Sequence, residues 1–377
     1  MIFTLALRNL FHDRIRLAVT LIGILFSIVL VAVQLGMYLG SSRIITAHID
    51  HADADLFITT NGAKSFEDGG NFLLSERERH QALATEGVQS VVPLFVNFAE
   101  WRKPGGGFAR VVIVGSNFED QGLVPWALTE GTLEDIKTPD AVAVDKSYFE
   151  ELGVTGIGDS AQAALGRVKI RALTQGVRSF TRAPYVYTTL NKARLLFDAP
   201  AGRSTFLLVK VSPGANVDSV KAAIASRLES AEVLTKDEFR TRSLKQWLFG
   251  TGAGFALIGG ALLGSLVGTV IVAQTLYSST KDHIHEFATL RALGSSASYI
   301  HRVILTQAGL SAVIGYVLGM TIALVILYFS KGSSLPLVMT PGLAFWLFAL
   351  TIAMCAISAL SAIVKVTKID PATVFSR

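Results

Sequence analysis

Four stretches of the chain contain no Asp, Glu, Lys, Arg or His and are each long enough to cross about 30 Å of hydrocarbon as a helix: residues 17–40, 249–277, 303–329 and 343–364. Between the first and second the pattern changes to short alternating runs broken by Gly and Pro. Residues 94–101 and 108–114 flank Lys103-Pro104-Gly105-Gly106-Gly107, where Pro and Gly supply turn dihedrals, so this segment predicts a β-hairpin. Residues 166–173, 185–190 and 205–211 add strands, and residues 217–228 predict a helix before a short strand at Val233 and Leu234. The fold class expected is a membrane protein of four transmembrane α-helices, with a large α+β extracytoplasmic domain, in one or two subdomains, inserted between the first and second.

Composition agrees with this class. Of 377 residues, 51% are apolar and 17% charged, and the mean hydropathy is +0.48. The first apolar stretch follows Arg8, Arg14 and Arg16 as a signal peptide would, but its 24 residues exceed the apolar region of such peptides and no A-x-A site follows. An uncleaved anchor is expected. The lone cysteine, Cys355, allows no intrachain disulfide.

Charge gives the orientation. Arg8, Arg14, Arg16, Lys281, Arg291, Arg302, Lys365, Lys368 and Arg377 flank the spans on one side, which the positive-inside rule makes the cytoplasm. With Asp13, Asp282, Glu286 and Asp370 these flanks carry +5, the whole net charge, whereas residues 41–248 hold 24 basic and 25 acidic residues. Basicity is thus accounted for by topology, and nucleic-acid binding is not expected. The boundaries expected are a cytoplasmic amphipathic segment 1–16, span 17–40, extracytoplasmic domain 41–248, span 249–277, cytoplasmic coupling region 278–302, span 303–329, outer loop 330–342, span 343–364 and cytoplasmic tail 365–377.

Catalytic chemistry is sparse. No G-x-x-x-x-G-K-[ST] phosphate cradle, H-E-x-x-H or paired cysteine motif occurs, so the chain is expected to be no enzyme, with no cofactor and no metal of its own. His48, Asp50, His51, Asp53 and Asp55 resemble a ligand set, but at a span-to-domain junction they read as a solvated helix end. The spans offer no ionisable partner for a transported ion, so a hydrophilic channel is not expected.

Two features carry positive information. Gly260, Gly264 and Gly268 recur every fourth residue in the second span, a flat strip on which another helix, of this chain or of a second copy, can pack closely. Beyond that span, Ser279 or Thr280 suits an N-cap, Asp282 the positive end of a helix and Gly294 its end. Ile284, Phe287, Ala288 and Leu290 would form an apolar stripe bordered by His285, Glu286 and Arg291. Such a helix either lies on the membrane surface or inserts into a groove on a cytoplasmic partner.

Glu286-Phe287-Ala288-Thr289-Leu290-Arg291-Ala292-Leu293-Gly294 resembles the E-x-A-x-L-R-A-[IL]-G motif of FtsX-like permeases, the membrane subunits of MacB-type ABC systems. Ala6-Leu7-Arg8-Asn9-Leu10 and Lys368-Ile369-Asp370-Pro371-Ala372 are similar to the family's ends. Asp53-Ala54-Asp55-Leu56, the hairpin with Trp101, and Val270-Ile271-Val272-Ala273-Gln274-Thr275-Leu276-Tyr277 look closest to its DevC branch. The resemblance implies a multi-pass protein of the bacterial inner membrane with both termini cytoplasmic. It implies a homodimeric or paired permease that relays motion from a separate ATPase, which binds the ATP, to a periplasmic domain. Ile284, Glu286, Phe287, Leu290, Arg291 and Gly294 would then be the ATPase-coupling residues. An HlyD-like adaptor, a TolC-type outer-membrane duct, membrane lipid and a hydrophobic or lipid-like cargo are further partners it implies. FtsX-type regulation of a cell-wall hydrolase and LolC-type lipoprotein release are the alternatives, and the size of the insert favours export over the first.

The topology is directly testable. A reporter active only outside the cytoplasm is expected to work when fused within residues 60–240 or near Ser333, and to stay silent near His285 and after Arg377; activity at His285 would overturn the four-span arrangement.

Overall fold

A computed structural model of the protein describes residues 2–67, 73–120, 122–283, 285–286, 288–289, 295–330 and 337–367. In chain order these residues form α1 (Ile2–His12), α2 (Arg14–His51), β1 (Leu56–Thr60), α3 (Glu76–Leu83), β2 (Val88–Arg102), β3 (Phe108–Ser116), β4 (Leu128–Glu130), α4 (Leu133–Lys137), β5 (Ala141–Asp145) and α5 (Phe149–Leu152). There follow β6 (Ser160–Ala163), β7 (Gly166–Thr174), β8 (Tyr185–Thr189), α6 (Leu190–Leu196), β9 (Phe206–Val211), α7 (Val217–Ala225), β10 (Ala231–Thr235), α8 (Lys236–Leu244), α9 (Ala253–Asp282), α10 (Ala297–Ser330) and α11 (Pro341–Thr367). They divide into a helical unit, Met1–Ser41 with Ala253–Arg377, and a sheet unit, Ser42–Gly252.

Among the described residues α2, α9, α10 and α11 are the helices long and apolar enough to cross a membrane. The first continues well past Gly40, because Ser41 to His51 contain no Pro or Gly and place Ile45 and Ile49 one turn apart on a buried face. Helix α9 shows the 3.6-residue period clearly. Ala261, Gly264, Gly268, Val272, Leu276 and Thr280 are buried, while Leu262, Leu263, Leu266 and Val270 are exposed. Helix α1 buries Ala6 in a cluster with Ile300, Val303 and Ile304 of α10 and exposes Phe3, Leu7 and Phe11.

The sheet unit holds one sheet in the order β10-β1-β9-β2-β3-β8-β5-β7-β4, with β6 pairing both β2 and β7. The strands therefore join in one hydrogen-bonded sheet rather than two. The hairpin forms as the Pro-Gly segment predicts, with Phe98 opposite Val112 and Arg102 opposite Phe108. Its turn puts Gly106 and Gly107 at φ of +94° and +87°, where a side chain would be strained. Strand β2 begins earlier than its hydrophobic run suggests, at Val88, because β9 pairs with that extension through Val91, Val92 and Pro93. It also shows why the sheet is buried on both faces. Val92, Leu94 and Val96 enter one apolar cluster with Phe57 and Phe206, while Phe95, Ala99 and Trp101 enter another with Val142 and Val186. Trp101 is fully buried and its indole N–H donates to the Leu152 carbonyl at 3.0 Å. Helices start at matched side-chain caps: Asn216 Oδ1 accepts from Ser219 N at 3.0 Å, and Thr235 and Glu238 form a capping box at α8.

Candidate functional site

The motif between the second and third spans lies largely beyond what the structure describes: Ile284, Phe287, Leu290, Arg291 and Gly294 are all outside the described residues. Around them the geometry is defined. Helix α9 runs through Ser279 and Thr280 to Asp282, so neither is an N-cap; Thr280 is buried and donates its hydroxyl to the Leu276 carbonyl at 2.7 Å. Nothing between Tyr277 and Asp282 breaks a helix, which is why the expected cap does not form. His285, Glu286, Ala288 and Thr289 are helical, and the Thr289 hydroxyl donates to the His285 carbonyl at 2.8 Å. Ala288 is buried, whereas Glu286 is exposed, with one carboxylate oxygen 3.1 Å from His283 Nδ1. Asp282 ion-pairs with Arg16, which also approaches Asp13 at 3.4 Å. This end of the helical unit thus gathers the junction of α1 and α2, the end of α9, and the exposed Glu286.

The glycine strip faces α2 of the same chain. A Cβ added at Gly260 would meet Gln34 Nε2 at 2.7 Å, one at Gly264 would meet Leu30 Cδ2 at 3.0 Å, and one at Gly268 would lie 2.5 Å from Ser27 and 2.7 Å from Met354 Cε. Because no side chain intervenes, Ser27 Oγ reaches the Gly264 carbonyl at 2.8 Å. The arrangement repeats on α10, where Gly315 and Gly319 meet Ile24 and Ile28. Gly259, one residue from the strip, has open space beside it.

At the far end of α2 the residues that resemble a ligand set are dispersed. His48 is buried rather than solvated: its Nε2 lies 2.8 Å from the Tyr187 hydroxyl and its ring stacks with Phe66 at 4.8 Å. Asp50 pairs with Arg240, Asp53 with Lys210, and Asp55 accepts from Val211 N. Among the described residues no three of His, Cys, Asp and Glu come together as a metal site would need. A neighbouring buried carboxylate that no motif marks, Glu67, accepts from Ser179 and Thr181 at 3.1 Å and from the Tyr185 hydroxyl. Burial pushes its pKa up and the three hydroxyls partly offset this; Tyr185 is itself pushed well up by burial beside it. Glu67 and its donors lie more than a hundred residues apart, so no sequence spacing announces them.

Comparison with known proteins decides the relationship. The sequence model for the MacB-like periplasmic core domain matches residues 17–227, more than half the chain, and that for the FtsX-like permease C-terminal matches residues 258–371. The chain belongs to the MacB/FtsX-like permease family. Solved structures similar to it include the periplasmic region of MacB from Actinobacillus actinomycetemcomitans, at 14% identity, TM-score 0.37, over 53% of this chain and 96% of that one. The extracellular domain of the noncanonic ABC-type transporter YknZ from Gram-positive bacteria matches at 16% identity, TM-score 0.35, over 48% of this chain and 99% of that one. A domain of a putative permease protein from Porphyromonas gingivalis matches at 12% identity, TM-score 0.32, over 49% and 89% respectively. Comparison with curated proteins finds no match.

Two outcomes follow for this MacB/FtsX-like permease. Gly268→Leu is expected to cost about 1–3 kcal/mol through overpacking against Ser27 and Met354, read as a lower Tm in detergent, while Gly259→Leu leaves Tm nearly unchanged. Equal effects would remove the strip as a contact face. Glu67 has its folded pKa raised, so its contribution to stability is fully present below about pH 4.5 and is lost as pH rises through the folded value. Urea midpoints of Glu67→Gln and wild type are therefore expected to diverge in favour of the variant as pH rises from 4.5 to 8; the opposite slope would mean that the hydroxyls outweigh burial.

Proposed function

We propose that this protein is the membrane subunit of an ABC export system, relaying ATP-driven motion of a separate ATPase to a periplasmic domain formed by the sheet unit. Membership of the MacB/FtsX-like permease family supports an ABC transporter permease and with it a partner ATPase. The observation that carries the relay is the continuity of α2. It is one helix from Arg14, beside the Arg16–Asp282 ion pair, to His51, and its residues from Ser42 onward belong to the sheet unit. A helix held at both ends transmits displacement along its axis, whereas a loop would absorb it. The uncharged spans fit a machine that moves without conducting. In this reading both termini are cytoplasmic, the sheet unit is inserted between the first and second spans on the periplasmic side, and two copies pair in the inner membrane. Ile284, Glu286, Phe287, Leu290, Arg291 and Gly294 dock the ATPase. An HlyD-like adaptor and a TolC-type duct, as in the DevC branch, complete the path for a hydrophobic or lipid-like cargo.

Two substitutions separate docking from relay. Phe287→Asp places a carboxylate in the docking face and is expected to release the ATPase on co-purification, with Glu286→Arg weakening coupling less completely. Ile44→Pro breaks α2 just inside the sheet unit, at about 3 kcal/mol of helix stability. It is expected to leave the ATPase bound and hydrolysing while cargo export is lost. Undiminished export by Ile44→Pro would exclude a relay through α2, and an intact complex with Phe287→Asp would exclude docking by this segment.

A further inference from the structure

In the sheet unit, a groove of about 520 Å³ opens between the turn after β1 and the last turns before α9, lined by Gly62, Ala63, Lys64, Arg242, Lys245, Gln246, Phe249 and Gly250. One wall is a π-helical turn, Lys245–Gly250, wider than an α-helical turn and of the kind found mostly at functional sites. The other wall is tied down by Arg242, whose Nη1 donates to the Ala63 carbonyl at 3.4 Å and to Glu232 at 2.6 Å. Glu232 thereby neutralises Arg242. Lys64 and Lys245 are exposed, and among the described residues neither has an ion-pair partner, so the groove presents two lysines beside the ring of Phe249.

Covalent geometry keeps one lining residue of this groove, Gly250, near the start of an apolar helix. Gly250 is three residues before Ala253, where the apolar helix α9 begins, and three residues span at most about 11 Å. The same π turn carries Trp247, whose ring lies 6.0 Å from Phe180, and a Trp beside a Lys at the start of a span is the side-chain pair that settles at lipid headgroup depth. Cations, an aromatic wall, glycine at two lining positions and a direct chain link to an apolar helix together fit one ligand chemistry: a phosphate monoanion attached to an acyl chain.

We infer that this groove binds an anionic phospholipid of the leaflet at which α9 enters the membrane, with its phosphate between Lys64 and Lys245 and an acyl chain along Phe249. The groove needs no ATPase, and its occupancy is independent of the relay proposed above. The test uses the full chain in neutral detergent micelles containing equal phosphatidylglycerol and phosphatidylcholine, with the co-eluting lipid quantified by mass spectrometry. Wild type is expected to retain phosphatidylglycerol preferentially. Lys64→Glu with Lys245→Glu is expected to reduce that preference by about fivefold or more, since each lysine near an anionic lipid is worth about that factor. Lys64→Arg with Lys245→Arg keeps the charge and is expected to keep the preference. An unchanged lipid ratio after charge reversal would overturn the assignment. Release of the bound phosphatidylglycerol by excess inorganic phosphate would also overturn it, by making the groove a free-anion site.

Discussion

The helical unit depends on how closely two neighbours can approach α2. Lipid tails are as apolar as leucine, so helices in a bilayer gain little from burying apolar surface and associate through van der Waals contact and a few hydrogen bonds. Such contact is worth only about 0.1–0.2 kcal/mol per atom pair and falls off steeply with separation. Glycine at 260, 264 and 268 on α9, and at 315 and 319 on α10, brings the side chains of Ser27, Leu30, Ile24 and Ile28 onto bare backbone. The close approach also lets the Ser27 hydroxyl reach the Gly264 carbonyl at 2.8 Å. A helix gripped in this way on two sides is suited to move as a rod.

The sheet unit is stabilised differently. Its β2 and β9 strands bury side chains on both faces, β9 through Phe206 and Leu208 on one and Leu207 and Val209 on the other, and aromatic residues such as Phe57, Phe95, Trp101 and Phe206 fill the larger clusters. A polar group interrupts this apolar packing beside α2: His48 and Glu67 sit near Tyr185 and Tyr187, each hydrogen-bonded to a tyrosine hydroxyl. Buried polar groups cost stability unless they are paired, and pairing them specifies one geometry for the last turn of α2. The proposed relay thus ends in a directional contact rather than in interchangeable apolar packing.

Separation of labour follows from the charge distribution. The ionisable groups at the other end, Arg16, Asp282 and Glu286, are partly or largely solvent-exposed, so their pairing is weak and readily exchanged for contacts with a partner. Exchangeable charge at one end of α2 and a fixed polar lock at the other suit the proposed relay.

The sequence by itself determined the elements whose signal is local. Four uncharged runs set the spans, Pro104 with Gly105 to Gly107 set the hairpin turn, the period of α9 set which face is small, and the motif from Glu286 to Gly294 set the family. Local periodicity says that a face is smooth or apolar without naming what covers it. Only the tertiary structure decided that the glycine strip meets α2 of the same chain, that His48 is enclosed by aromatic rings instead of solvent, and that Thr280 stays inside α9. It alone brought Glu67 to Tyr185 and set Lys64 and Lys245 on one groove, because those placements join segments more than a hundred residues apart and arise from the folding of the sheet unit, which no short window of sequence contains.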